Sequence, residues 1–235
     1  MGLWASEFIT QVNASVLFEG SNFVRLLSGL WVSLRIALIA MAGSIALGIP
    51  LGIAMTSKHT WVRFILKVYV EAMRLMPQIV VLFIVFFSLA RDFNLNLSGE
   101  VAAIFAFILW GSAEMGDLVR AAIRAVPAHQ YESALALGLR PMQVHYYVVI
   151  AQAVRSLLPT TVNLTTRMIK TTSLVALIGV VEVLKVGQQI IDANRFEHPG
   201  AALWVYGTIF VLYFLVCFPI AWFSRRLEHR WGHVS

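Results

Sequence analysis

Apolar residues fall along this chain in long uninterrupted blocks, not in the period-two or one-faced patterns of water-soluble elements. A helix needs about 20 mostly apolar residues to cross a bilayer. Residues 36–57 and, His198 aside, 198–224 carry no charged side chain, so they predict the first and last spans. Residues 75–90 lie charge-free between Arg74 and Arg91 and predict a second span with the turn before them. Residues 101–113 run apolar up to Glu114 and predict a third. Residues 171–191 predict a fourth, interrupted by Glu182 and Lys185.

Residues 144–166 are apolar enough to compete for a span, but they carry Gln152, Arg155, Pro159, Asn163 and several threonines. Cytoplasmic segments are enriched in Lys and Arg. With 144–166 kept in the cytoplasmic layer, Lys58, Arg63, Lys67, Arg120, Arg124 and Arg140 all fall inside. Arg91, Lys185, Arg195 and Arg25 then fall outside. A sixth span would reverse much of that bias. The expected fold is an all-α integral membrane protein of five transmembrane helices, N-terminus out and C-terminus in. Residues 1–22 form an extracytoplasmic segment and 23–235 one transmembrane domain. Glu7, Glu19 and other polar residues make 1–22 unlike a cleavable signal.

Composition agrees. Of 235 residues, 59% are hydrophobic and 13% charged, which excludes an ordinary soluble domain. The net charge of +6 is spread around the apolar spans, so it fits membrane orientation and not nucleic-acid binding. The single cysteine, Cys217, excludes an internal disulfide framework. Histidines 59, 129, 145, 198, 229 and 233 have no metal-ligand spacing. Gly48 and Gly52 form a small-x-x-x-small pair suited to close helix contact, most simply within the chain. Trp204, Tyr206 and Trp222 read as interfacial aromatics.

One short segment breaks the pattern. Residues 127–141 are bounded by Pro127, Gly138 and Pro141, with small and apolar residues between them and Glu132 as the single acid. Proline suits a helix start and glycine the residue past its end. A helix this short is marginal alone, so a partner at the membrane face is expected to hold it.

The run Glu132-Ser133-Ala134-Leu135-Ala136-Leu137-Gly138, followed by Val148 to Arg155 and by Leu158-Pro159, resembles the EAA loop of permease subunits of binding-protein-dependent ABC importers. Glu71-Ala-Met-Arg74-Leu-Met-Pro77-Gln78, Asp117-Leu-Val-Arg120 through Pro127, and Lys170-Thr-Thr-Ser173-Leu174 resemble its polar amino-acid branch. Together the motifs cover residues 71–182 in matching order. Ser133 stands where the family usually has alanine, Ala151 where it has proline, and Glu114 where a tyrosine is common.

The resemblance implies a bacterial inner-membrane permease that imports a polar amino acid. Its cytoplasmic loop, about 124–170, would dock in a groove of a cytoplasmic ABC ATPase dimer through Tyr131, Glu132, Ser133, Ala134 and Gly138. It implies a second permease subunit, identical or homologous, and an extracytoplasmic solute-binding protein. ATP and magnesium would sit on the ATPase, since this chain has no Gly-x-x-x-x-Gly-Lys-Ser/Thr motif and no nucleophile–base set. The subunit itself is therefore expected to be no enzyme and to hold no cofactor.

Candidates for the translocation path are Glu71, Arg74, Pro77, Gln78, Glu114, Asp117, Lys170, Thr172, Ser173 and Glu182. Each has a plainer alternative. Glu71 and Arg74 lie one helical turn apart and predict an ion pair. Pro77 predicts a bend or a loosened carbonyl. Glu114 and Asp117 predict a network with Arg120 or Arg124, or a path facing a cationic solute. Lys170 to Ser173 read as an anchor and cap opening the fourth span, and Glu182 as a mid-span acid. The competing functions are the same machine carrying an opine or another small polar solute, and an ATP-independent channel or ion-coupled transporter.

Overall fold

The computed structural model describes residues 14–89, 92 and 97–231, and every regular element among them is helical. The expected outside placement of Arg91, most of the segment 1–22, and His233 lie outside the described residues. The elements are α1 (Asn22–Ala54), α2 (Thr60–Leu75), α3 (Gln78–Phe83), α4 (Gly99–Arg124) and α5 (Ala128–Ala136). They are followed by α6 (Pro141–Val144), α7 (Ala151–Thr171), α8 (Val183–Ala193) and α9 (Ala201–Trp231). A π-helical stretch, Ile84–Leu89, extends α3; another, His145–Ile150, joins α6 to α7; a 3₁₀ stretch, Thr172–Ile178, extends α7.

Three helices, α1, α4 and α9, are long and apolar enough to cross a membrane, and the number of passages reaches five if each of two bent pairs is one span. Those pairs are Thr60–Leu75 with Gln78–Ser88, bent by 104°, and Pro141–Ile178 with Val183–Ala193, bent by 50°. The contacts give the helix directions. Gly43, Gly48 and Gly52 on α1 meet Ile108, Met115 and Val119 on α4, so these two helices run parallel. Between them the chain must return, and the first bent pair supplies that passage. Thr161 on α7 meets Met115 of α4 and Met168 meets Gly111, so α7 runs antiparallel to α4. Tyr213 on α9 lies beside Thr172 past the end of α7, while Ser224, further along α9, donates to the Pro159 carbonyl at 3.0 Å, so the direction reverses again. The start of α1 and the end of α9 therefore lie at opposite ends of the bundle.

The core is held by close packing, because lipid offers apolar surfaces no hydrophobic penalty to escape. Phe107, Trp110, Leu164, Met168 and Ile169 are buried at the junction of α4 and α7. Leu26, Leu30, Val183, Val186 and Ile190 form a second cluster with Val205 and Ile209, where α8 lies between α1 and α9. A Cβ on Gly48 would come within 2.5 Å of the Met115 side chain, and one on Gly52 within 2.5 Å of the Gly116 carbonyl. The Gly48/Gly52 pair is thus an intramolecular seam, as expected.

Four sequence expectations are corrected. The first span begins at Asn22 and not at 36, because Arg25 and Arg35 are accommodated by Gln189 and Glu100 instead of ending the helix. Residues 144–166 do not form a layer apart from the bundle. They belong to a helical run from Pro141 to Ile178 that packs along α4 and α9. The predicted helix 171–191 is absent: α7 ends at Thr171, and the chain breaks at Gly179 (φ 85°) before α8 starts at Val183. Lys170, Thr172 and Ser173 therefore close a helix where an opening cap was expected. The region 124–170 is likewise mostly helical, with an open connection confined to residues around 125–127 and 137–140.

Candidate functional site

The bounded segment folds as its punctuation predicts. Pro127 takes the N-cap position with φ −63° and ψ 139°, and α5 runs for nine residues. Gly138 follows its end at φ 87°. The Gly138 N–H donates to the Leu135 carbonyl at 2.9 Å and the Leu139 N–H to the Ala134 carbonyl at 3.2 Å. That pair of bonds is a Schellman turn, which satisfies orphan carbonyls at the price of a left-handed residue and so favours glycine.

Two contacts fasten α5 to the helical run that begins at Pro141. Gln152 donates to Gln130, and the Tyr131 ring meets the His145 ring edge-on with centroids 5.4 Å apart. Ala134 is buried against the chain, and its small side chain lets α5 lie close. Glu132, Ser133, Leu135, Leu137 and Met142 are exposed, the last two at 83%. Of the expected docking residues, Glu132, Ser133 and Gly138 are thus on the outer surface; Tyr131 is half-buried and Ala134 faces inward.

A second group gathers where α2, α4 and α7 meet. Arg74 donates to Asp117 at 2.7 Å and comes within 3.7 Å of Glu114. Arg120 donates to Asp117 at 2.5 Å, and Arg167 to Glu114 at 2.5 Å. Arg167 also lies over the Trp110 ring, 5.0 Å from its centroid. The predicted pairing of Glu71 with Arg74 does not form, because Asp117 on the crossing helix draws the guanidinium away. The network of acids with Arg120 does form. Arg167 completes it and was missed, since it sits on the helix that had been set apart from the bundle.

The remaining candidates lie elsewhere. Pro77 caps α3 at the 104° turn, so it breaks the helix outright where a bend was expected, and Gln78 opens α3. Glu182 lies in the break between two helices and not within one. It N-caps α8, accepts from the Lys185 N–H at 2.9 Å, and takes a hydrogen bond from Ser33 on α1 at 3.1 Å. Glu182, Ser33 and Thr172 are fully buried. A Cβ on Gly29 would stand 2.8 Å from the Val183 backbone, so the bare backbone of α1 is what lets Ser33 reach this carboxylate. Neither Ser33 nor Gly29 carried a readable signal, because their partner is 149 residues distant from Ser33.

Residues 48–233 match the family described as binding-protein-dependent transport system inner membrane component. The chain belongs to that family. This transport-system component is 30% identical over 206 residues to the glutamine transport system permease protein GlnP of Escherichia coli (strain K12), covering 87% of this chain and 92% of the relative. It is 29% identical over 214 residues to the L-cystine transport system permease protein TcyB of Bacillus subtilis (strain 168), covering 91% and 89%. Its fold matches a crystal structure of an amino acid ABC transporter with histidines at a TM-score of 0.80, 24% identity, and coverage of 88% and 94%. An inward-facing MetNI methionine ABC transporter matches at 0.69 over 88% and 96%. Like other members of the family, the component is a membrane-embedded transport subunit and not a catalyst.

Proposed function

We propose that the chain is the permease subunit of an ATP-driven importer of a polar amino acid in a bacterial inner membrane. A second permease subunit pairs with it, a solute-binding protein delivers the solute from outside, and a separate cytoplasmic ATPase dimer carries ATP and magnesium. The N-terminus lies outside and the C-terminus inside. Support for this sidedness comes from Arg63, Lys67, Arg124, Arg140, Arg225 and Arg226, which cluster toward the α5 end of the bundle.

The observation that carries the reading is α5, a nine-residue helix stopped by a left-handed glycine, with Glu132, Leu135 and Leu137 exposed and its inner face tied to His145 and Gln152. Such a helix offers a partner a rigid surface and passes displacement straight into α7, as rigid-body rocking of a bistable bundle requires. The relatives named for glutamine, cystine and glutamate transport favour an amino-acid cargo. Arg74, Glu114, Asp117 and Arg167 make a site with charges of both signs, suited to a zwitterion. Pro77, Thr172 and Glu182 act in positioning the elements around it, and Glu71, Gln78, Lys170 and Ser173 remain candidates for the path itself.

The test is ATP hydrolysis by the reconstituted complex, with its binding protein, screened against amino acids. Stimulation by one polar amino acid supports the proposal. Solute flux that persists without an ATPase subunit would replace it with a channel.

A further inference from the structure

A cavity of about 370 Å³ opens at the α5 end of the bundle, between α2 and the last turns of α4. Four cations line it, Arg63, Lys67, Arg120 and Arg124, against two acids, Glu71 and Asp117. Asp117 is already taken up by Arg120 and by Arg74 from outside the cavity. Arg63, Lys67 and Arg124 form no ion pair among the described residues. Unpaired cations crowded together repel one another, and an anion with several acceptor oxygens relieves that repulsion.

The rest of α2 says what kind of anion fits. Trp61, Phe64, Ile65 and Val68 recur at one-turn spacing and are exposed at 79%, 60%, 63% and 53%. Arg63 and Lys67 lie on the adjoining face, and Phe64 stands one turn from Lys67, so the apolar stripe borders the charged cavity. A helix with an aromatic and aliphatic face beside a basic one rests at the boundary between headgroups and acyl chains. A water-soluble anion uses the cations alone; a ligand with a phosphate and two acyl chains uses both faces.

We propose that this cavity is a binding site for an anionic phospholipid, its phosphate held by Arg63, Lys67 and Arg124 and its chains lying along Trp61, Phe64 and Val68. Basic cavities between membrane helices take such headgroups, and a basic residue beside an anionic lipid surface is worth about fivefold in affinity. The lipid braces α2 against α4 in the inner leaflet, on the orientation proposed above.

The experiment uses the assembled transporter, delipidated in detergent and titrated with phosphatidylglycerol, phosphatidylcholine or inorganic phosphate. Bound lipid is counted by native mass spectrometry and the melting temperature is followed. Phosphatidylglycerol is expected to be retained and to raise the melting temperature, with phosphatidylcholine doing neither. Lys67→Gln should weaken retention about fivefold, and combination with Arg124→Gln about fivefold again. Arg225→Gln, at the same end of the bundle but outside the cavity, should leave retention unchanged. Equal loss in Arg225→Gln means diffuse attraction to a charged surface and overturns the site. An equal thermal shift from inorganic phosphate overturns the lipid assignment, as does retention unchanged in the Lys67→Gln/Arg124→Gln double variant.

Discussion

Arg74 on α2 reaches Asp117 on α4 at 2.7 Å, although Glu71 lies one turn back on its own helix. A pair within one helix would have stabilised α2 alone; this one fixes how α2 crosses α4. With the Arg74 and Asp117 side chains 43% and 21% exposed, the coupling should be near the upper end of the range for surface pairs, about 1 kcal/mol. A thermal-unfolding double-mutant cycle on Arg74→Gln and Asp117→Asn should show it, whereas Arg74→Gln with Glu71→Gln should be additive. Coupling to Glu71 and none to Asp117 would contradict the arrangement.

Glu114 and Arg167 bring α4 and α7 together at 2.5 Å. If this pair faces the solute, Glu114→Gln should change uptake or substrate preference while the protein still assembles. Uptake by Glu114→Gln and Asp117→Asn variants that matches the parent for every amino acid tested would remove these acids from the path.

Gly52 and Gly207 should respond in opposite ways to alanine. A Cβ at Gly52 would press to 2.5 Å from the Gly116 carbonyl and from the Val119 Cβ, and both helices must shift. Overpacking of this kind costs about 1–3 kcal/mol. Nothing lies within 4 Å of the corresponding point at Gly207. There alanine should be neutral or stabilising by up to about 1 kcal/mol, since glycine disfavours helix. Melting temperatures of the two variants, measured side by side, decide it.

Gly138 has open space around it, so any effect of Gly138→Ala is conformational and not steric. Alanine at φ 87° is disfavoured by about 1–2 kcal/mol and should fray the end of α5. On the proposed coupling, solute-stimulated ATP hydrolysis falls, and Gly138→Asn, which tolerates the left-handed region better, restores part of it. Full stimulation in Gly138→Ala would detach the turn from coupling.

Glu182 caps α8 and holds Ser33. Glu182→Ala should lower stability by about 1–2 kcal/mol through loss of the cap, while the Ser33 hydroxyl keeps the Gly29 carbonyl of its own helix, 3.2 Å away, as an acceptor. Glu182→Gln retains an acceptor oxygen and should recover part of that loss. Equal destabilisation by alanine and glutamine, read as melting temperature, would show that the charge matters and not the cap.

Apolar run length located α1, α4 and α9, and Pro127 with Gly138 located α5 to within a residue, because these signals are local. The passage 141–178 was less readable for a physical reason. Its threonines looked too polar for a buried helix, yet Thr161, Thr165 and Thr171 each donate to a carbonyl four residues back, at 2.8–2.9 Å. A hydroxyl satisfied by its own helix costs little in a dry setting. The break after Ile178 was concealed by an unbroken apolar composition across it, although Gly179 was there to mark it. Pairings across the bundle, Arg167 with Glu114 and Ser33 with Glu182, depend on helix directions that no local pattern encodes.

Gly179 repeats the turn found at Gly138: its N–H donates to Ala176 and that of Val180 to Val175, at 3.1 and 3.2 Å. Between the two left-handed glycines lies a run about 60 Å long if fully helical. A push on its lower tip travels the whole beam before meeting a joint. On the proposed coupling, the second joint delivers that motion at Glu182, against α1, so whatever grips the exposed stub is felt at the opposite end of the bundle.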